Sequence, residues 1–125
     1  MIDKIKKPSM GWIYWDKMNG SSDFSDGELA YTSFERALRS FKYHLSKDRC
    51  KRFHPTQKPV QLYEWLLMVY AKESDKRLDT HLGSGSIAIA CHNLGFNLTA
   101  CELDKEYYEA AIKRIKEHQS QLRII

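Results

Sequence analysis

The segment from residue 76 to residue 104 constrains the fold more than any other part of this chain. It reads Lys-Arg-Leu-Asp-Thr-His-Leu-Gly-Ser-Gly-Ser-Ile-Ala-Ile-Ala-Cys-His-Asn-Leu-Gly-Phe-Asn-Leu-Thr-Ala-Cys-Glu-Leu-Asp. Gly83, Gly85 and Ala88 match the G-x-G-x-x-G/A spacing of a βαβ unit that binds a nucleotide. The pattern predicts parallel strands at 78–80 and 98–102, which a helix joins in a right-handed crossover.

The same segment predicts a site for a cofactor that contains a nucleoside. Glycine lets the backbone take a positive φ and come close to a ligand. The helix behind the turn offers unpaired N–H groups with a partial positive charge. Glu102 ends the second strand, where a carboxylate can accept hydrogen bonds from ribose hydroxyls. An NAD-type dinucleotide-binding protein is a minor alternative, because such proteins usually place this turn near the N-terminus and follow it with many more strands.

Composition and length favour one soluble domain. The chain has 125 residues, of which 42% are hydrophobic. Its three cysteines are odd in number and lack C-x-x-C spacing, which argues against a disulfide scaffold and against a zinc ribbon. We expect no metal site. No apolar run reaches the length of about 20 residues that a membrane span needs, and the N-terminus has no signal-peptide pattern. We therefore expect a cytoplasmic protein with no membrane partner.

Positive charge is concentrated between residues 36 and 58, a segment that contains eight Lys or Arg residues and only one acidic residue. Aromatic side chains are interleaved with them, a combination that suits a phosphate backbone and exposed bases. The pattern predicts that residues 35–53 are mostly irregular and that the basic loop at 35–58 contacts DNA. The candidate DNA-binding residues are Arg36, Arg39, Lys42, Lys47, Arg49, Lys51 and Arg52. A solvated basic loop without a partner is the alternative.

Four further elements are predicted around these segments. Aromatic and β-branched runs at 11–15 and 28–34 favour two strands that pair antiparallel at one edge of a sheet. Pro59 suits the first position of a helix that continues to about residue 71, and its broad apolar face predicts that this helix is largely buried. Asp104 is a good N-cap for a last helix.

Three sequence blocks in a fixed order carry a resemblance to a known family. They are His-Pro-Thr-Gln-Lys-Pro at 54–59, Asp-Thr-His-Leu-Gly-Ser-Gly-Ser at 79–86, and Cys-Glu-Leu-Asp-Lys-Glu-Tyr-Tyr at 101–108. The chain resembles the circularly permuted, β-class DNA amino-methyltransferases, which modify adenine N6 or cytosine N4, over about residues 11–118. The resemblance implies an α/β fold. It also implies a partial Rossmann-like methyltransferase domain over residues 1–125, with S-adenosylmethionine as cofactor and DNA as substrate.

The resemblance also implies roles for individual residues of a cofactor pocket. Glu102 binds the ribose hydroxyls, Leu103 lies against the adenine ring, and His81 stands where the family commonly has Phe. The methionine side is formed by residues of the glycine turn and of the block at 54–59. These residues are Thr56, Gln57, Lys58, Asp79, Gly83, Ser84 and Gly85.

One family motif is absent from these 125 residues. The catalytic tetrapeptide, Asp-Pro-Pro-Tyr or a close variant, requires adjacent prolines, and the three prolines here are separated. We therefore assign no catalytic residue and expect the chain to be the C-terminal part of an adenine-N6 methyltransferase, inactive on its own. A homo-oligomer or a second polypeptide would supply the missing strand. The alternative is a catalytically inactive DNA- or cofactor-binding remnant.

Overall fold

The computed structural model describes residues 7–47, 54 and 57–121. The chain divides into two compact units, Met1–Arg49 and Cys50–Ile125. The first unit is built from strands, and the second alternates helices with parallel strands. The α/β class predicted from the sequence is confirmed.

The first unit is a three-stranded sheet in the order β2-β1-β3. Strand β1, Ile13–Asp16, pairs antiparallel with β2, Gly27–Ala30, so that Ile13 lies opposite Ala30. It also pairs parallel with β3, Arg39–Lys42, so that Ile13 lies opposite Arg39. The antiparallel pair is therefore as predicted, but β1 occupies the centre of this sheet rather than its edge.

The alternating burial of β1 reflects the period of two along a strand. Ile13 and Trp15 are buried, and the Trp15 indole Nε1 donates to the carbonyl oxygen of Tyr43 at 3.0 Å. That hydrogen bond fixes the chain where it leaves β3, before a 3-10 turn at Leu45–Lys47. The sequence pattern predicts that residues 35–53 are mostly irregular, which is wrong for β3. The short sequence Arg-Ser-Phe-Lys has no apolar alternation, and its pairing with β1 decides its conformation.

The second unit contains three helices and two strands in its described part. Helix α1 spans Val60–Tyr70, and α2 spans Ser86–Leu94. Strand β4, Leu78–Asp79, pairs parallel with β5, Thr99–Ala100. Helix α3 spans Lys105–Ser120. Backbone hydrogen bonds extend the pairing of β4 and β5 at both ends, since Thr99 donates to the Arg77 carbonyl at 3.0 Å and Leu82 donates to the Cys101 carbonyl at 3.0 Å.

The core of this unit lies between α1 and α2. Leu67 of α1 packs on Ala90 and Cys91 of α2, and partly buried side chains from α1, α2 and the region around β5 surround them. The small residues of α2 allow this close approach. The prediction that α1 is largely buried is wrong: two of its residues, Leu62 and Leu67, are buried, and Met68 and Val69 are exposed. The apolar face predicted from the sequence is wider than the face that α2 covers.

Arg77 fixes the start of β4. Its guanidinium donates to four carbonyl oxygens, those of Lys72, Glu73, Asp75 and Asn97, at 2.8–3.3 Å. It also lies over the Phe96 ring, with 4.2 Å between the guanidinium carbon and the ring centroid. The side chain therefore joins the segment after α1 to the segment before β5.

Among the described helices, none is both long enough and apolar enough to cross a membrane.

Candidate functional site

The glycine loop, residues 80–85, connects β4 to α2 and defines the candidate site. Gly83 and Gly85 both have positive φ, 58° and 83°, a region that side chains disfavour. Gly85 is the N-cap of α2, and its N–H donates to the Leu82 carbonyl at 3.1 Å. The glycine spacing thus predicted the turn and the start of the helix correctly.

The two glycines face different neighbours. A Cβ on Gly85 would lie 3.1 Å from Ile115 Cδ1 of α3, so its lack of a side chain allows α3 to pack on the loop. A Cβ on Gly83 would lie 3.6 Å from Nε2 of His54, which is an ordinary contact. Gly83 is therefore needed for its φ alone, whereas Gly85 is needed for its φ and for packing. The glycine spacing predicts that the backbone at both residues comes close to a ligand, and it does not predict the contact between Gly85 and α3.

Glu102 connects the end of β5 to the glycine loop. The Gly83 N–H donates to its Oε1 at 2.8 Å, and the Asp104 N–H donates to its Oε2 at 3.1 Å. These backbone donors, with that of Asp104 contributing most, hold the pKa of the Glu102 carboxyl below its ordinary value. The group is therefore a carboxylate at neutral pH. A carboxylate has about four acceptor positions, so it can still accept hydrogen bonds from a ligand.

Asp79 and His81 lie on the β4 side of the loop. The His81 N–H donates to Asp79 Oδ1 at 2.9 Å, which shapes the exit from β4. The exposed His81 ring is hydrogen-bonded through Nδ1 to the Thr80 hydroxyl at 2.8 Å. The loop thus holds both predicted side chains by local hydrogen bonds.

Serines of the loop and of the α2 N-terminus are held by a residue that sequence reasoning missed. Arg114 of α3 donates through Nη1 to the Ser84 carbonyl and to Ser86 Oγ, each at 3.0 Å. Ser84 and Ser86 are buried, and their hydroxyl oxygens are 3.2 Å apart. No local motif marks Arg114, because its position on α3 looks like part of an ordinary charged face.

The segment before α1 also reaches the loop. The His54 ring packs on the Tyr107 ring, with 4.3 Å between the centroids, and it faces Gly83. Gln57 is buried, and its N–H donates to the His54 carbonyl at 3.1 Å. Lys58 is partly exposed. Thr56 lies outside the described residues.

Leu103 follows Glu102 and is fully exposed. A large apolar side chain in water at this position is available to cover an apolar ring.

Among the described residues, no group of three or more His, Cys, Asp or Glu side chains could hold a metal ion.

Five of the seven predicted DNA-binding residues belong to the first unit, Met1–Arg49, and Lys51 and Arg52 fall in the second. Four of the seven lie in the described part and are exposed: Arg36, Arg39, Lys42 and Lys47. Arg39 and Lys42 are three residues apart on β3, so they lie on opposite faces of the strand. The remaining three, Arg49, Lys51 and Arg52, lie outside the described residues.

These features fit a cofactor that contains a nucleoside. An ionised carboxylate at the end of β5, a loop of positive-φ glycines and the N-terminus of α2 come together in the order that the βαβ fingerprint requires. The class of protein that this arrangement defines is an α/β nucleotide-binding unit.

Comparison with known proteins identifies the family. The chain belongs to the N6/N4 methyltransferase family of DNA methylases, whose model matches residues 2–113. It is 28% identical over 114 residues to the type II methyltransferase M.HpaI of Haemophilus parainfluenzae, an alignment that covers 91% of this chain and 32% of M.HpaI. It is 38% identical over 63 residues to M2.DpnII of Streptococcus pneumoniae, covering 50% of this chain and 24% of that protein. The chain therefore spans about a third or less of the length of these relatives.

Solved structures share the fold. The complex of M1.HpyAVI with SAM superposes with a TM-score of 0.69 at 28% identity, over 83% of this chain and 60% of that one. TTHA0409 of Thermus thermophilus, complexed with S-adenosyl-L-methionine, gives a TM-score of 0.61 at 17% identity over 92% of this chain and 56% of that one. The second likeness concerns the fold alone.

Proposed function

We propose that this chain is the cofactor-binding part of an S-adenosylmethionine-dependent DNA methyltransferase of the circularly permuted class, with adenine N6 as the favoured target. The observation that carries the proposal is the Glu102 carboxylate, held against the glycine loop at the start of α2. The carboxylate suits the ribose hydroxyls of a nucleoside cofactor, and the helix N-terminus near it suits an anionic group of that cofactor. The fold shared with the M1.HpyAVI–SAM complex supports the choice of cofactor.

Each predicted site residue has a role in this proposal. Glu102 accepts hydrogen bonds from the ribose hydroxyls, and the exposed Leu103 covers the adenine ring. The residues proposed around the methionine end are Thr56, Gln57, Lys58, Asp79, His81, Gly83, Ser84 and Gly85. When bound, the cofactor supplies the methyl group, and these residues bind and orient it.

Calorimetric titration with S-adenosylmethionine tests the cofactor site. We expect the chain to bind, and Glu102→Ala to weaken binding at least about tenfold, as for the loss of hydrogen bonds to a charged acceptor. Glu109→Ala is a matched control, because it removes a carboxylate from an exposed position on α3. Wild-type affinity in Glu102→Ala would show that the ribose site is assigned wrongly.

DNA contact is proposed for the basic segment, with Arg36, Arg39, Lys42, Lys47, Arg49, Lys51 and Arg52 as the candidate residues. Binding should be weak, tolerant of sequence and strongly dependent on salt, because neutralised phosphates release counterions. Charge reversal at Arg39 and Lys42 should reduce the slope of log K against log salt by about 0.9 for each lost phosphate contact. Lys116→Glu on the exposed face of α3 is the control. An unchanged slope in the double variant would mean that the basic segment is solvated and has no DNA partner.

We also propose that this chain needs a further strand for methyl transfer, supplied by a second copy or by another polypeptide that carries Asp-Pro-Pro-Tyr. Within the described residues, β4 pairs with β5 alone, so its other edge offers backbone groups to an incoming strand. A tritiated-methyl transfer assay on DNA, run together with light scattering, tests this. A monomer that methylates DNA unaided would contradict it.

An inactive cofactor-binding remnant is the second candidate function, favoured by the absence of the tetrapeptide from these 125 residues. The discriminating assay adds the Asp-Pro-Pro-Tyr region of a complete relative in trans. Restored methyl transfer supports a completed enzyme. Cofactor binding without any transfer supports the remnant.

A further inference from the structure

Arg114 makes an unusual contact for a residue two turns into α3. Its Nη1 is the donor in two hydrogen bonds of 3.0 Å, one to the Ser84 carbonyl and one to Ser86 Oγ. Both serines are buried, with 5% and 2% of their surface exposed. An unpaired carbonyl at this depth would be costly, so the guanidinium satisfies a group that water does not readily reach.

The contact locks one peptide plane of the glycine loop at both ends. The carbonyl of the Ser84–Gly85 peptide accepts from Arg114, and the N–H of the same peptide donates to the Leu82 carbonyl at 3.1 Å. This plane leads directly into α2, whose first hydrogen bond runs from the Ile89 N–H to the Gly85 carbonyl at 3.2 Å. The orientation of the loop is therefore set from α3.

The charge of Arg114 is placed against the preference of the helix. A cation near a helix N-terminus opposes the macrodipole, and the first turn of α2 contains no acid to offset it. Stability of α2 alone would favour an acidic or neutral residue here. The arrangement instead adds positive charge beside the glycine loop, where an anionic ligand group would be favoured.

We infer that Arg114 is a positioning residue for the cofactor site: it fixes the Ser84–Gly85 peptide and makes the glycine loop electropositive toward the carboxylate of the cofactor's amino-acid end. The inference rests on the proposed function for the identity of the ligand. The positioning of the loop can be measured without any ligand.

Amide hydrogen exchange tests the loop. Arg114→Met keeps an extended apolar stem and removes the charge and the donors. In this variant the Gly85 amide should exchange at least about tenfold faster, as for the loss of a hydrogen bond to a charged group. The amides of Ala90 and Cys91, in the buried middle of α2, should keep their wild-type rates. Lys113→Met is the matched control, since it removes the same charge from the neighbouring exposed position.

Ligand affinity distinguishes a positioning role from a merely structural one. A structural defect would weaken ligands with and without an amino-acid carboxylate equally. Arg114→Met should weaken S-adenosylmethionine more than 5′-methylthioadenosine, which lacks the amino-acid carboxylate. Arg114→Lys, which keeps the charge but replaces the planar guanidinium by a compact ammonium on a different stem, should recover part of the difference.

The outcomes separate the inference from the function on which it rests. If wild-type protein fails to bind S-adenosylmethionine, the proposed function fails, and the exchange rates still decide whether Arg114 fixes the loop. If Arg114→Met matches Lys113→Met in Gly85 exchange, the inference is overturned. It is also overturned if all α2 amides accelerate together, because Arg114 would then serve global stability, or if both ligands lose affinity equally.

Discussion

Substitution of Gly85 by alanine tests whether α3 packs directly on the glycine loop. Gly85 has a φ of 83°, in the left-handed region that costs a residue with a Cβ about 1–2 kcal/mol. The added Cβ would also lie 3.1 Å from Ile115 Cδ1 and 3.3 Å from Ile115 Cγ1. Overpacking of this kind costs about 1–3 kcal/mol. We expect Gly85→Ala to lower the free energy of unfolding of this unit by about 2–5 kcal/mol.

Gly95→Ala is the matched control at the opposite end of α2. Gly95 has a φ of 73°, and a Cβ there would meet nothing within 4 Å. This variant measures the backbone cost without the overlap, and both variants share the same change in the unfolded chain. The difference between them should therefore equal the overlap alone, about 1–3 kcal/mol.

Ile115→Val supplies the second half of the test, because it removes the Cδ1 atom that the new Cβ would meet. The double variant with Gly85→Ala should lose less free energy of unfolding than the sum of the losses of the two single variants, by at least about 0.5 kcal/mol. The assay is urea unfolding followed by helical circular dichroism, since all three described α-helices belong to the Cys50–Ile125 unit. Equal costs for the two glycine variants, with strict additivity in the double variant, would refute the packing of α3 on the loop.

Three further predictions concern the ends of β5 and α3 and the thiols. Asp104→Ala should destabilise α3 by about 0.5–2 kcal/mol, because Asp104 Oδ1 accepts from the Tyr107 N–H at 2.9 Å, and Asp104→Asn should not; urea titration compares them. The pKa of Glu102 is lowered, so its stabilisation is present above the ordinary carboxyl range and is lost as pH falls through the lowered value. Glu102→Gln should therefore lose less stability on acidification than wild type. Burial raises the pKa of the Cys91 thiol, so mass-spectrometric mapping of labelled peptides should find the exposed Cys101 modified before Cys91, and equal rates for these two thiols would contradict the buried position of Cys91.

The βαβ unit could be predicted from the sequence because its signals are local. Gly83 and Gly85 occupy positions where φ is positive, and Asp104 caps α3 with its own side chain. Each of these residues determines its conformation within a few positions of the chain. The helix after Gly85 and the parallel pairing of β4 with β5 followed from that pattern.

Features that depend on distant contacts could not be predicted in the same way. β3 is a strand because β1 lies beside it, and its own sequence carries no period of two. Arg114 reaches a loop 30 residues earlier in the chain, a relation that no spacing rule reports. The width of the apolar face of α1 was visible, but only the position of α2 determines which part of that face is covered.

Cofactor binding and the stability of the helical unit should be linked through the residues that hold the loop. A ligand that binds only the folded state stabilises it by about 2.7 kcal/mol at a concentration 100 times its dissociation constant. S-adenosylmethionine at that excess should therefore raise the free energy of unfolding of the helical unit by the same amount in wild type and in Gly95→Ala, since Gly95 lies at the far end of α2 from the loop. The unfolding midpoint should rise in both proteins.

At the same absolute concentration, Glu102→Ala should gain much less, because its weaker affinity leaves a smaller excess over its dissociation constant. 5′-Methylthioadenosine, at 100 times its own constant, should give wild type the same gain, because the linkage depends on saturation and not on the ligand's charge. Urea titrations followed by helical circular dichroism measure all four cases. A wild-type midpoint that does not move, although calorimetry shows binding, would mean that the ligand has no preference for the folded helical unit, and the glycine loop would then not be its site.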